Sequence, residues 1–78
     1  MNFEQLEKKV IQWATDRGIY KHSTPESQLL KTMEELGETA RAHLKGNKTD
    51  LKDGVGDVLV TLINFAHMNN LSLVECLE

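Results

Sequence analysis

The sequence predicts a small all-α protein, and two observations carry this prediction. The chain has one proline and five glycines in 78 residues and few runs of β-branched residues, which favours helices over strands. Apolar residues also recur at steps of three and four, the spacing of one helix face. The first set predicts a helix over residues 3–17, capped by Asn2 and ended by Gly18, with a loop over residues 18–22 after it. Its apolar members are Phe3, Leu6, Val10, Trp13 and Ala14.

A second helix is predicted to begin at a capping signal. Ser23 and Glu26 have the spacing of a capping box, and Pro25 stands where a first-turn proline is tolerated. This helix runs to about Leu44, and Gly46 follows where a left-handed residue is expected. Its apolar stripe consists of Leu29, Met33, Leu36, Ala40 and Leu44.

A third helix follows the hinge KGNKT. Asp50 is its predicted cap, and Asp53 lies in the first turn, where a negative charge interacts favourably with the helix dipole. The pair Asn69 and Asn70 ends this helix. Its apolar set consists of Leu51, Val55, Val58, Leu62, Phe65 and Ala66.

The last residues predict the start of a fourth helix. Ser72 and Glu75 form another capping-box pattern, and the helix they open has barely completed two turns when the sequence ends at Glu78. We expect a fourth helix that is cut short or is completed by a neighbouring subunit. A single domain over residues 1–78 buries only about 60% of the surface of its unfolded chain. Its core should be marginal, so we expect a homodimer or tetramer.

Cysteine content and charge exclude several classes of protein. Cys76 is the only cysteine, so no internal disulfide can form, which suits a reducing compartment such as the cytosol. No segment approaches the roughly 20 apolar residues of a membrane span, so we expect a soluble cytoplasmic protein without a membrane partner. The net charge of −3 and the dispersed lysines and arginines argue against a nucleic-acid polymer as partner. A mononucleotide remains compatible, because a divalent cation can join an acidic site to a polyphosphate.

Two consecutive predicted helices each carry an acidic face. At about 100° per residue, Glu34, Glu35 and Glu38 gather on the second helix, away from its apolar stripe. The corresponding set on the third helix is Asp50, Asp53, Asp57 and Asn64. Antiparallel packing of the two helices would bring these carboxylates together, and such oxygen ligands suit Mg²⁺ or Mn²⁺. The alternative is that both faces are ordinary solvated surfaces of bundle helices.

The run KTMEELGETARAHLKGNKTDLKDGVGDVLVTLINFAH resembles the core of the MazG-like family of all-α nucleoside triphosphate pyrophosphohydrolases. The family pattern is EExxE, a spacer and then ExxD. The preceding VIQWATDRGI resembles the first helix of short, phage-type members. This resemblance implies a MazG-like helical bundle that oligomerises, dependence on magnesium, and cleavage of a nucleoside or deoxynucleoside triphosphate to the monophosphate and pyrophosphate.

The resemblance also implies roles for individual carboxylates. Glu35 and Glu38 match the metal-binding glutamates of the first motif, and Asp57 matches the aspartate of the second motif. Glu34 is implied to act beside the metal ligands, orienting water.

One expected ligand is missing, because the usual glutamate three residues before Asp57 falls at Gly54. Two explanations are open. Asp53, one turn before Asp57 on the same face, could supply the lost carboxylate; alternatively, the site holds fewer ions or holds them weakly. We favour replacement by Asp53.

Four residues are candidates for contacts with a nucleotide. Lys31, one turn before Glu35, and Lys48, in the hinge, could bind phosphates, although ordinary surface lysines are the alternative. Asn64 could donate to a phosphate or sugar, or be an exposed helix asparagine. Trp13 could stack on a base, but its spacing favours packing or a subunit contact.

The sequence therefore predicts a Mg²⁺-dependent enzyme that attacks a phosphoryl group with metal-activated water and needs no side-chain nucleophile. Two alternatives remain open. The chain could be a nucleotide or metal sensor without catalysis, or a helical assembly protein whose acidic faces are merely solvated.

Overall fold

The computed structural model describes residues 1–78 and contains helices without strands, which confirms the all-α prediction. The predicted first, second, third and fourth helices correspond to α1, α3, α4 and α5. The bounds are α1 Phe3–Asp16, α2 Ile19–His22, α3 Pro25–Leu44, α4 Lys48–Met68 and α5 Leu73–Leu77. None of these helices is both long and apolar enough to cross a bilayer.

The segment between α1 and α3 was predicted to be a loop, but its residues 19–22 form the short helix α2. Gly18 precedes it with φ 74°, a left-handed conformation that glycine adopts without steric cost. Tyr20 lies in α2, and its hydroxyl donates to the Asn64 Oδ1 of α4 at 2.8 Å. This contact fixes α2 against α4.

Two predicted caps are wrong by a few residues. Thr24, rather than Ser23, caps α3, because its hydroxyl accepts from the Ser27 backbone N–H and Pro25 occupies the first helical position. The Ser23 hydroxyl instead accepts from the Gln28 amide at 3.1 Å. Each arrangement satisfies a polar group that would otherwise lack a partner.

The cap of α4 is Asn47, not Asp50, so α4 begins earlier than predicted. Asn47 Oδ1 accepts from the Asp50 backbone N–H at 3.0 Å, and its amide donates to the Asp50 carboxylate at 2.9 Å. Lys48 is consequently the first residue of α4 rather than part of the hinge. The tight connection uses Gly46 at φ 71°, as predicted.

The predicted end of α4 and start of α5 are confirmed. Asn69 caps α4, and Asn70 has φ 60°. The Ser72 hydroxyl accepts from the Glu75 backbone N–H at 3.1 Å. Glu7 of α1 is buried, and its carboxylate accepts from the Leu73 backbone N–H at 2.6 Å, which ties the two ends of the chain together.

Small and polar side chains form the contact between α3 and α4. The Thr32 hydroxyl bonds the Thr61 hydroxyl at 2.9 Å in the buried interior. Gly54 is buried against Thr39, and a Cβ atom at position 54 would clash with the Thr39 hydroxyl and lie 3.2 Å from the Thr39 Cα. The pairing of position 32 with 61 and of 39 with 54 makes the hairpin antiparallel, as expected.

The interior contains little apolar side-chain volume. Its buried apolar residues are Ala14, Ala42, Ile63 and Ala66, and its buried polar residues are Glu7, Gln28, Thr32, Thr61 and Asn64. The apolar stripe predicted for α3 is exposed and does not face α4, which corrects its expected place in the core. Threonines and Ala42 occupy the face that packs on α4.

Replacing Gly54 with alanine should destabilise the protein, although alanine is the better helix former. The added methyl group would overpack the α3–α4 contact at Thr39 and cost about 1–3 kcal/mol. Gly56→Ala is the matched control, since nothing lies within 4 Å of a Cβ there, and it should stabilise by about 0.5–1 kcal/mol. Urea unfolding followed by circular dichroism measures both. Equal stability of the two variants would contradict the close contact.

Candidate metal and nucleotide site

A polar pocket of about 320 Å³ lies between the C-terminal half of α3 and the N-terminal half of α4. The antiparallel hairpin forms it by placing the acidic faces of the two helices next to each other. Two cationic side chains line it, those of Arg41 and Lys45. Four carboxylates also line it: Glu38, Asp50, Asp53 and Asp57. Ala42 is its one apolar lining residue. Such a pocket suits a charged ligand.

The carboxylates of Glu35, Glu38 and Asp57 are close enough to influence one another. The pKa of Glu35 is raised above its usual value, first by partial burial of its carboxyl group and next by the negative charges of Glu38 and Asp57. A hydrogen bond with Glu38 and the charge of Glu34 raise it further. Crowded carboxylates of this kind are the electrostatic situation that a bound cation relieves.

The carboxylates are gathered but do not form a closed cage. No group of three or more histidine, cysteine, aspartate or glutamate side chains is arranged so that it could hold an ion as it stands. Glu38, Asp53 and Asp57 nevertheless share one pocket. Their hard oxygen atoms fit Mg²⁺ or Mn²⁺, which keep several water ligands and therefore need few from the protein.

Asp53 and Gly54 have different surroundings although they are adjacent. Asp53 lines the pocket together with Asp57. The Gly54 Cα faces Thr39 of α3, and a side chain at position 54 would have to displace that helix. The position of the usual glutamate is therefore used for helix packing, and Asp53 is the neighbouring carboxylate that faces the pocket.

Arg41 and Lys45 are pocket residues that the sequence interpretation missed. They follow Glu34 and Glu38 along α3 at steps of three and four, so they share one helix face. This spacing was a usable signal. The earlier candidates lie elsewhere: Lys48 lines a separate cavity of about 150 Å³, and Lys31 is exposed and is not a lining residue of either pocket.

Asn64 is buried, so the alternative that it is an exposed helix asparagine is wrong. The side chain is only 2% exposed, and its Oδ1 accepts from the Tyr20 hydroxyl. Burial raises the pKa of Tyr20 to about 12, which keeps this donor protonated. The His67 ring lies 4.5 Å from the Tyr20 ring. In this position Asn64 is a packing residue, and a contact with substrate stays a prediction.

Trp13 is 44% exposed on α1 and does not line the pocket. The Arg17 guanidinium carbon lies 5.0 Å from the centre of its ring, a cation–π distance. Stacking of Trp13 on a base therefore stays a prediction, as does its alternative use in a subunit contact.

Comparison with known proteins identifies the family of this chain. The family model described as "MazG nucleotide pyrophosphohydrolase domain" matches residues 23–77. The "Uncharacterized 18.2 kDa protein in rep-hol intergenic region" of Haemophilus phage HP1 is 37% identical over 73 residues, which is 94% of this chain. The chain spans 45% of that relative. No solved structure matches. The chain belongs to the MazG nucleotide pyrophosphohydrolase family.

Proposed function

We propose that this protein is a Mg²⁺-dependent nucleoside triphosphate pyrophosphohydrolase. It would convert a ribo- or deoxynucleoside triphosphate and water into the monophosphate and pyrophosphate, and so adjust nucleotide pools in the cytoplasm. The proposal rests on one observation: in a MazG-family chain, carboxylates from two antiparallel helices line one pocket that also holds two cationic side chains.

Glu35, Glu38 and Asp57 are the proposed metal ligands, and Asp53 replaces the glutamate missing at Gly54. The raised pKa of Glu35 supports this set, because the shift reflects partial burial and the nearby charges of Glu38 and Asp57. The location of Asp53 in the pocket supports the replacement. A divalent ion bound here supplies Lewis-acid chemistry: it makes water a stronger nucleophile and neutralises charge on phosphoryl oxygens.

The protein's own groups would orient the reactants along α3. Glu34 lies beside the ligand pair and can hold the attacking water by accepting a hydrogen bond. Arg41 lies further along the same helix and Lys45 caps its C-terminal end, about 10 Å from Glu38 along the helix axis at 1.5 Å per residue. A polyphosphate that starts at the carboxylates therefore extends towards two cations, which can bind the pyrophosphate as it leaves.

A second candidate is a nucleotide or metal sensor on the same scaffold, because Gly54 lacks the usual ligand. Such a protein would bind nucleotide with Mg²⁺ without consuming it. An assembly protein with solvated acidic faces would bind neither. Whichever role applies, we expect self-association, since a domain of this size with so small an apolar interior gains stability from a partner.

Removing one carboxylate from the proposed metal site should abolish most hydrolysis. We expect Glu38→Gln and Asp57→Asn to lower kcat/KM at least about a hundredfold, the scale of losing a group that stabilises transition-state charge. Pyrophosphate release from a panel of triphosphates, with and without Mg²⁺, measures this. Glu26→Gln, in the exposed first turn of α3, is the matched control and should retain activity. Full activity in Glu38→Gln would contradict the site, and Mg²⁺-dependent binding without turnover in the wild type would favour the sensor.

Neutralising the pocket cations should weaken substrate binding more than neutralising other lysines. Arg41→Gln and Lys45→Gln should each raise KM by about tenfold or more, because each loses a charge-assisted hydrogen bond worth about 1.5–3 kcal/mol. Lys52→Gln, exposed on α4 and outside the pocket, is the control. Lys31→Gln and Lys48→Gln test the sequence-based candidates in the same assay. A KM change in those two variants but not in Arg41→Gln or Lys45→Gln would contradict the proposed phosphate path.

A further inference from the structure

Glu35 lies between two contacts that join α3 to α4. Three residues before it along α3, the Thr32 hydroxyl bonds the Thr61 hydroxyl at 2.9 Å. Four residues after it, Thr39 packs against Gly54 so closely that a Cβ atom at position 54 would not fit. The helical turn that bears this proposed metal ligand is therefore held against α4 on both sides.

The Thr39 side chain also holds the turn that bears Glu35 directly. Its hydroxyl donates to the main-chain carbonyl oxygen of Glu35 at 2.8 Å, in a half-buried position. A carbonyl inside an α-helix already accepts from the backbone N–H four residues on, so the hydroxyl adds a second hydrogen bond. A threonine that bonds back to its own helix in this way often bends it. The hydroxyl therefore affects the course of the turn from which the Glu35 side chain projects.

The Thr39 hydroxyl lies between Gly54 of α4 and the Glu35 carbonyl of α3. A Cβ atom at position 54 would clash with this hydroxyl, so its oxygen is in close contact with the Gly54 backbone. The same oxygen is bonded to the Glu35 carbonyl. The hydroxyl thus connects the contact between the helices to the turn that bears the ligand.

Packing alone does not explain a threonine at position 39. Threonine is less favourable than alanine inside a helix, because its branched side chain loses rotational freedom there. Ala42 is buried on the same side of α3 and packs on α4 without a hydroxyl. The hydroxyl of Thr39 is the feature that needs an explanation, and its acceptor belongs to a proposed ligand.

A similar arrangement occurs on α4. Thr61 follows Asp57 by four residues, as Thr39 follows Glu35, and its hydroxyl lies 3.2 Å from the Asp57 carbonyl oxygen. A shorter bond, at 2.9 Å, joins the Thr61 hydroxyl to the Val58 carbonyl oxygen. The hydroxyl of Thr39 therefore makes the more direct contact with a turn that bears a ligand.

We infer that Thr39 is a positioning residue of the metal site: its hydroxyl holds the turn of α3 that keeps the Glu35 carboxylate beside Glu38 and Asp57. This inference rests on the proposed metal site, and it gives Thr39 no contact with the ion or the substrate. Ligands must be held within about 0.5 Å of the productive geometry. A small change in the bend of α3 at this turn is therefore enough to weaken binding.

Titration of Thr39 variants with Mn²⁺ alone tests this role. Thr39→Val keeps the shape of the side chain and removes the hydroxyl, and Thr39→Ala removes the hydroxyl without crowding Gly54. We expect each variant to bind Mn²⁺ about tenfold more weakly than the wild type, as for other groups that orient a metal ligand. Thr39→Ser keeps the hydroxyl and should restore wild-type affinity. Circular dichroism should show helix content retained in all three variants.

Thr15→Val is the matched control. The Thr15 hydroxyl donates to the Ile11 carbonyl oxygen at 2.8 Å, which is the same bond on α1, away from the site. This variant should bind Mn²⁺ like the wild type.

The Mg²⁺ requirement of hydrolysis is a second readout. Thr39→Val should need about tenfold more Mg²⁺ for half its maximal rate, and its kcat should approach that of the wild type when Mg²⁺ is saturating. A threonine that serves stability alone would lower the urea midpoint when replaced and leave the Mg²⁺ requirement unchanged.

Three outcomes would overturn the inference. Wild-type Mn²⁺ affinity in Thr39→Val and Thr39→Ala, or an equal loss in Thr39→Ser, would reject the role of the hydroxyl and leave the metal site standing. Absence of Mn²⁺ binding in the wild type would reject the proposed metal site as well. Because Mn²⁺ is titrated without nucleotide, failure of the proposed catalysis would not affect these results.

Discussion

The close approach of α3 and α4 at Gly54 and Thr39 is the constraint on which the other features depend. A side chain at position 54 would separate the two backbones, whereas its absence lets the helices pack through small polar groups such as Thr32 and Thr61. Because this row of contacts fixes the rotation of both helices, it also fixes which residues face the pocket and which face outward. The acidic faces then meet on one side, and the apolar residues are left on the other.

The same glycine changes the chemistry expected of the site. In the family pattern, position 54 would be a glutamate; in this chain it serves packing, and Asp53 is the neighbouring carboxylate in the pocket. Partial burial and the nearby carboxylates hold the pKa of Glu35 above its usual value. These carboxylates therefore repel one another in the folded chain when no cation is bound. A bound cation would relieve this repulsion, and the free energy released would favour cation binding. Arg41 and Lys45 balance part of the negative charge at the hinge end of the pocket.

Periodicity and capping patterns predicted the existence, type and approximate bounds of all four expected helices. The errors arose where two residues compete for one role: Thr24 directly follows Ser23, and Asn47 precedes Asp50 by one turn, so spacing alone does not select the cap. The orientation of α3 was harder to predict. An apolar stripe normally faces its neighbouring helix, but here threonines do so. Gly54 lets the backbones of α3 and α4 approach closely, and the space that remains between them fits small side chains rather than large ones.

The acidic side of the pocket was predictable, since helix spacing and antiparallel packing suffice to bring Glu38 and Asp57 together. Arg41 and Lys45 were equally accessible from spacing. The burial of Asn64 was not, because it depends on Tyr20, a residue 44 positions away in a helix that periodicity did not predict. A four-residue helix is too short to show a period.

The Mn²⁺ affinity of Gly54→Ala tests the central claim that packing of α3 on α4 positions the carboxylates of the site. The electron paramagnetic resonance signal of the free ion measures this affinity. The substitution changes no carboxylate, so any effect must act through the α3–α4 distance. The account predicts binding about tenfold weaker or more than in the wild type and in Gly56→Ala, a loss of about 1.4 kcal/mol. Unchanged Mn²⁺ affinity in Gly54→Ala would contradict it.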